Sequence, residues 1–131
     1  LGKRLFIKVA DLLRTENLPI VSRETSLKDA IVVMSEGRLG NVIVMENQKV
    51  VALLSDGDLR RALMKDDFTL NCNVERVATL NPRTLKDKNI LASDALKIIE
   101  DYKIQLLLVT DEQQHLVGVL HIHDLIEAGI Q

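Results

Sequence analysis

Apolar residues in this chain follow two spacings. Leu27, Ala30, Ile31 and Met34 recur at intervals of three and four, the signature of one helix face, and Ala92, Ala95, Leu96 and Ile99 repeat it. Around these stripes lie near-continuous apolar runs at 41–45, 50–54, 106–109 and 116–120. Runs this short and uniform predict strands covered on both faces. Ile20-Val21 after Pro19, and Arg83-Thr84-Leu85 after Pro82, read as two more short strands. Helices are expected from Asp56 to about Lys65, with Leu59, Ala62 and Leu63 facing inward, and from Ile122 to about Ala128. Short helical turns are expected at Val9–Leu13 and Val74–Val77. Ser26, three residues before Asp29, predicts a helix N-cap, and Gly37 predicts that helix's stop.

The pattern is written twice. Val51-Ala52-Leu53-Leu54-Ser55-Asp56-Gly57-Asp58-Leu59 returns as Val117-Gly118-Val119-Leu120-His121-Ile122-His123-Asp124-Leu125. Ser55 and His121 stand 66 apart (121 − 55), whereas earlier pairs such as Val9 with Val74 and Asp29 with Asp94 stand 65 apart. A turn one residue longer in the second copy, 111–115 against 46–49, accounts for the slip. A repeated strand-helix-strand-strand-helix unit predicts an α/β (α+β) fold in which two half-size units share one core. The expected boundaries are a connector at 1–8 from an upstream domain, repeat one at 9–67, a linker at 68–73 and repeat two at 74–131.

Composition narrows the function. With 131 residues, 47% hydrophobic and 27% charged, the chain has the balance of a globular domain with a real core. Its net charge of −2, with scattered Lys and Arg, gives no electrostatic footprint for nucleic acid. Aromatic content of 2% without Trp removes the usual stacking platforms, so a base-binding pocket here must be aliphatic. The single Cys72 forbids an intrachain disulfide and points to a reducing compartment, the cytoplasm. No apolar run reaches the length of a membrane helix, and no signal peptide is visible. A start at Leu1 rather than Met predicts a piece of a longer protein.

Candidate chemistry gathers where each apolar strand meets the following helix. Ser55 and Asp58 fit a capping box, in which each side chain satisfies the other residue's backbone N–H. They equally fit a ligand site, since a carboxylate accepts from both hydroxyls of a ribose while a Ser hydroxyl works at its edge. A helix N-terminus adds N–H groups that favour phosphate, and Arg61 adds a guanidinium for an anion. Asn41 and Gln105 precede the second strand of each copy, where polar contacts to a base arise. His121 and His123 raise a metal reading. Residues two apart at a helix start should point to opposite sides, however, and no Cys or third His is expected nearby, His115 being placed in the exposed turn, so a hydrogen-bonding or pH-sensitive role fits better. No catalytic residue is expected: Cys72 has no His close in sequence, Ser55 has no identifiable base, and acids gather at helix starts for dipole reasons.

The element order and the strand running into Ser-x-x-Asp resemble the CBS domain pair over Val9–Ala128. That resemblance implies two units about a pseudo-twofold axis, with adenosine-containing ligands in clefts and a Gly-x-x-Thr/Ser-x-x-Asp pattern holding the ribose. Copy one departs by having Ala52 at the Gly position and keeps Ser55 and Asp58; copy two keeps Gly118 and Asp124 but has His121 at the hydroxyl position. The resemblance extends the candidate ligand set to Ile20 and Val21 in copy one, and to Thr84, His121, His123 and Asp124 in copy two. Leu1-Gly2-Lys3-Arg4-Leu5, Ser55-Asp56-Gly57-Asp58-Leu59-Arg60-Arg61 and Gly118–Leu125 further look like the C-terminal part of the arabinose 5-phosphate isomerases. This implies a regulatory fragment without catalysis of its own, attached to an upstream aldose-ketose isomerase domain whose product feeds Kdo synthesis for lipopolysaccharide or capsule. It also implies a homodimer or tetramer, no required cofactor, and an adenine nucleotide or CMP-Kdo as ligand. The rival reading is a structural dimerisation module with degenerate, unoccupied sites.

Overall fold

In the computed structural model, which describes residues 4–131, the apolar runs become strands and the two stripes become helices. The order is α1 (Val9–Leu12), β1 (Ile20–Ser22), α2 (Leu27–Gly37), β2 (Asn41–Glu46), β3 (Lys49–Ser55), α3 (Asp56–Leu63), β4 (Thr79–Leu80), β5 (Thr84–Leu85), α4 (Ala92–Tyr102), β6 (Leu106–Thr110), β7 (Leu116–His121) and α5 (Ile122–Glu127). Single 3-10 turns lie at Arg4–Phe6 and Val74–Arg76. The stretch Leu1–Lys3, part of the expected connector, lies outside the described residues. Strand β4 is an addition to the expected order; at two residues it is too short to leave a period in the sequence.

The chain forms two compact units, and they do not follow the two sequence copies. One unit is Asn17–Pro82; the other joins the residues up to Glu16 with Arg83–Gln131. In the first, β1 runs parallel to β2, and β2, β3 and β4 continue antiparallel. Leu27, Ala30 and Met34 of α2 pack with Val42, Val44, Ala52, Leu54 and Val74. In the second, β5 runs parallel to β6 and β6 antiparallel to β7, and Ala92, Ala95, Leu96 and Ile99 of α4 pack with Leu107, Val109, Leu120, Leu125 and Val9. The apolar residues therefore gather in two clusters, one in each unit, where the repeat predicts a single shared core.

The opening segments are exchanged. Val9 N–H donates to Ile90 O (3.0 Å) and Ala92 N–H to Ile7 O (2.8 Å); 65 residues on, Val74 N–H donates to Thr25 O (2.9 Å) and Leu27 N–H to Cys72 O (2.8 Å). Each copy's opening turn thus docks at the start of the other copy's first long helix, and fully buried Val9 and Val74 supply apolar surface to the other copy's core. The exchange continues at the sheet edges, where Thr79 pairs with Leu53 and Arg14 with Val119.

Local details explain the sequence marks. The hairpin β2–β3 turns on Asn47 and Gln48, both at positive φ (52° and 69°), the twist-matched two-residue loop. Between β6 and β7 the turn inside the Asp111–His115 pair is one residue longer than that inside the Glu46–Lys49 pair: Asp111 N–H donates to His115 O (3.0 Å), and Asp111 Oδ1 accepts from the N–H groups of Gln113 (2.8 Å) and His115 (2.9 Å). This is the turn that accounts for the slip from 65 to 66. Ser26 Oγ accepts from Asp29 N–H at the start of α2, as expected. Its end differs from expectation: Arg38, at φ 57°, is the left-handed cap, and Gly37 instead lies against Pro19, whose Cβ would stand 3.0 Å from an added Gly37 Cβ. Leu63 also differs, being 60% exposed. The buried stripe of α3 is Asp58 and Ala62, and Leu63 lies a further 100° around the helix.

Candidate functional site

At the start of α3 the capping box is fully formed. Asp58 N–H donates to Ser55 Oγ (3.1 Å) and Ser55 N–H donates to Asp58 Oδ2 (3.0 Å). The same carboxylate accepts from Arg61 Nη2 at Oδ1 (2.7 Å), and the Thr79 hydroxyl donates to it from 3.1 Å at Oδ1 and 3.3 Å at Oδ2. Asp58 is 7% exposed, so this is a buried acid whose carboxylate is held by a backbone N–H, a hydroxyl and a cation. The capping reading is observed here, and the same acid also faces a hydroxyl and a guanidinium.

Sheet register assembles the rest of copy one's set. Asn41 lies directly opposite Ser55, and Ile20 lies beside Ile43, so β1, β2 and β3 bring Ile20, Asn41 and Ser55 to the same end of the sheet. Ile20 is half-exposed and Val21 is buried in the core. The buried Asn41 amide donates to Leu39 O (2.9 Å), so its side chain braces the turn before β2. Gln105, its counterpart, is exposed and leads into β6. Beside Asp58 opens a cleft of about 230 Å³ lined by Arg61, Lys65, Phe68, Cys72 and Arg76. The expected linker thus forms a cleft wall, which no local sequence pattern announces.

Copy two has the same frame and different chemistry. His121 lies opposite Leu106, and Thr84 pairs with Leu108, which puts Thr84 at the matching end of the β5–β7 sheet. His121 is buried, and its Nδ1 accepts from His123 N–H (3.1 Å), so imidazole replaces the capping hydroxyl. The two imidazoles do not point to opposite sides as the spacing predicts; their rings meet edge to face at 4.8 Å. Asp124 is held from the exchanged opening segment. Arg14 grips it with a fork, Nε to Oδ2 at 2.5 Å and Nη2 to Oδ1 at 2.8 Å. Arg14 and Thr79, the residues that reach the two acids from the exchanged segments, were absent from the sequence-derived set. No group of three or more His, Cys, Asp and Glu suited to a metal occurs among the described residues.

Hydrogen bonds from Arg14 hold the Asp124 carboxyl below its ordinary range, against desolvation, with the Arg14, His121 and His123 charges acting in the same direction. A lowered carboxyl contributes stability that is complete above the ordinary range near 4 and is lost as pH falls through the lowered value. Arg14→Met is therefore expected to cost about 1 kcal/mol at pH 7, a figure already reduced for solvent screening of this half-exposed pair. Thermal unfolding of both proteins from pH 7 down to about 2 should show the difference shrinking. A difference that stays constant across the range rules out this origin.

Residues 9–65 and 74–130 each match the CBS domain family. The chain belongs to the CBS domain family. Its curated relatives include an uncharacterized protein of Helicobacter pylori, 48% identical over 100% of this chain and 40% of that protein. Another is the arabinose 5-phosphate isomerase KdsD of Pseudomonas aeruginosa, 41% identical over 99% of this chain and 40% of that protein. This CBS pair thus spans about 40% of the length of these curated relatives. Among solved structures it is similar to CBSX2 in complex with AMP, with a TM-score of 0.81 at 24% identity over 94% of this chain and 96% of that one. It is also similar to a CBS domain protein from Pyrobaculum aerophilum complexed with AMP, with a TM-score of 0.79 at 22% identity over 91% and 90%. The fold is that of tandem CBS repeats. Among the described residues of the pair, no helix is long and apolar enough to cross a membrane.

Proposed function

We propose that this CBS pair is the nucleotide-sensing regulatory part of an arabinose 5-phosphate isomerase, with aldose-ketose isomerisation carried by an upstream domain of the parent chain. The observation that carries this reading is the buried Asp58 carboxylate, held at the start of α3 with Ser55, Thr79 and Arg61 around it. Two hydroxyls and a carboxylate suit a ribose diol, and Arg61, Lys65 and Arg76 along the adjoining cleft suit a phosphate. Half-exposed Ile20 at the same sheet end supplies an aliphatic contact for a base, with Val21 in the core and Asn41, bracing the turn before β2, supporting it from behind. The AMP held by two similarly folded CBS proteins supports an adenine nucleotide, and CMP-Kdo is the second candidate because the resemblance to arabinose 5-phosphate isomerases implies Kdo synthesis. A ligand with different affinities for two arrangements of the module shifts the parent enzyme by that difference and no more. The parent is read as a cytoplasmic homodimer or tetramer.

Thermal unfolding against AMP, ADP, ATP, CMP and CMP-Kdo tests the reading. A true ligand at one hundred times its dissociation constant stabilises by about 2.7 kcal/mol. Asp58→Ala removes one side of the capping box, so the unliganded protein should lose about 1 kcal/mol, and the ligand-induced shift should vanish. No shift with any compound eliminates the sensor and leaves a structural dimerisation module. Isomerase turnover by these 131 residues alone would refute the division of labour.

A further inference from the structure

Each acid at a helix start meets a residue that belongs, by sequence, to the other copy. Arg14 and Thr79 stand 65 apart, the offset of their surrounding segments, and each sits where its segment pairs with the edge of the other copy's hairpin. Arg14 exchanges both backbone bonds with Val119 (2.9 Å each), which places its guanidinium on Asp124. Thr79 pairs with Leu53, which places its hydroxyl on Asp58. The exchange therefore delivers one side chain to each acid, and the two copies receive chemically opposite ones.

We propose that this exchanged position is the selector of the module: Thr79 gives the acid of copy one a partner that a ribose diol can replace, and Arg14 locks the acid of copy two in a fork, so each chain carries one nucleoside site. This rests on the nucleotide reading above and assigns Arg14 and Thr79 as specificity-determining residues. A hydroxyl beside a carboxylate can rotate, giving up its bond to the acid and accepting one from a ligand hydroxyl in return. A guanidinium fork uses both carboxylate oxygens and cancels the charge, and a neutral diol would have to replace two charge-assisted bonds with two weaker ones. The backbone pairing with Val119 keeps Arg14 tethered at the site. The cation beside Asp58 is different in kind, because Arg61 makes one bond to the acid and its side chain is 71% exposed, so it can swing to a phosphate.

Calorimetric titration with AMP and ATP tests the selector. The wild type should bind one nucleotide per chain and Asp58→Ala none. Asp58→Ala with His121→Ser, which supplies copy one's hydroxyl while Arg14 stays, should also bind none. Adding Arg14→Thr should restore one site, within about tenfold of the wild-type affinity, a margin equal to one modest hydrogen bond; Asp124→Ala should abolish it again. Two sites in the wild type, restored binding with Arg14 in place, or a cooperatively folded triple variant that stays silent each overturns the selector alone. A wild type that binds neither nucleotide overturns the nucleotide reading, and the selector with it. In case the triple variant does not fold, ribose-proton NOEs in the wild-type complex decide the matter: contacts to the Thr79 methyl are expected, and contacts to the Arg14 side chain refute the selector.

Discussion

Gly118→Ala should lower the midpoint of thermal unfolding by on the order of 10 °C, a loss of about 3 kcal/mol. Gly118 is buried on β7 where the Arg14 segment crosses it. An added Cβ would stand 2.5 Å from Arg14 O, 2.7 Å from Leu13 Cγ and 3.0 Å from Leu13 Cδ2. The nearest atom is backbone, so a rotamer change cannot relieve the clash. The segment must retreat, and its retreat strains both hydrogen bonds between Arg14 and Val119. Copy one is the internal control, because Ala52 holds the equivalent place, fully buried and paired with Leu80 of β4. The Cβ is therefore tolerated where Thr79–Leu80 is the crossing segment and excluded where Leu13-Arg14 is. Ala52→Gly should cost only about 1 kcal/mol, through strand entropy and one lost methyl contact. Calorimetric unfolding of both variants checks the contrast. Equal losses would mean that the crossing segments do not set the size of residue allowed.

The elements were legible in the sequence because their causes are local. Burial on both faces makes β2 and β6 uniformly apolar, and burial on one face gives α2 and α4 their stripes. The capping acid was legible for the same reason, since Ser55 and Asp58 are three residues apart and meet within one helical turn. The exchange was not legible. Val9 and Val74 are the same residue in near-equivalent surroundings, so each satisfies either core, and apolar patterning cannot say which sheet receives which turn. Arg14 was missed because it meets Asp124 across 110 positions, and Thr79 because it meets Asp58 across 21. The signal that could have found them was the repeat itself: aligned by their offset, Arg14 and Thr79 form one column with a cation in one copy and a hydroxyl in the other. The retained acid of copy two likewise gains a physical reason. Asp124 is the ion-pair partner of Arg14.

Val9→Asp should melt a sheet to which, by sequence copy, Val9 does not belong. Val9 has no accessible surface, and it lies among Ala92, Ala95, Leu107 and Leu120, all of them from the second copy. Replacing it removes the transfer energy of a buried valine, about 1.5 kcal/mol or more, and places a carboxyl in an apolar cluster at a further cost of at least about 2 kcal/mol. The sum of at least about 3.5 kcal/mol is a large share of what holds a small domain together. Amide hydrogen exchange should then show the greatest loss of protection in β6 and β7, with β2 and β3 less affected. Val74→Asp should produce the reverse, because Val74 is buried among Leu27, Ala30, Val42 and Leu54 of the first copy. If Val9→Asp instead opens β2 and β3 first, the opening turns are not exchanged, and Arg14 is not the residue delivered to Asp124. The stability experiment and the selector thus depend on the same feature of the fold, the crossing of each opening segment onto the other copy's sheet.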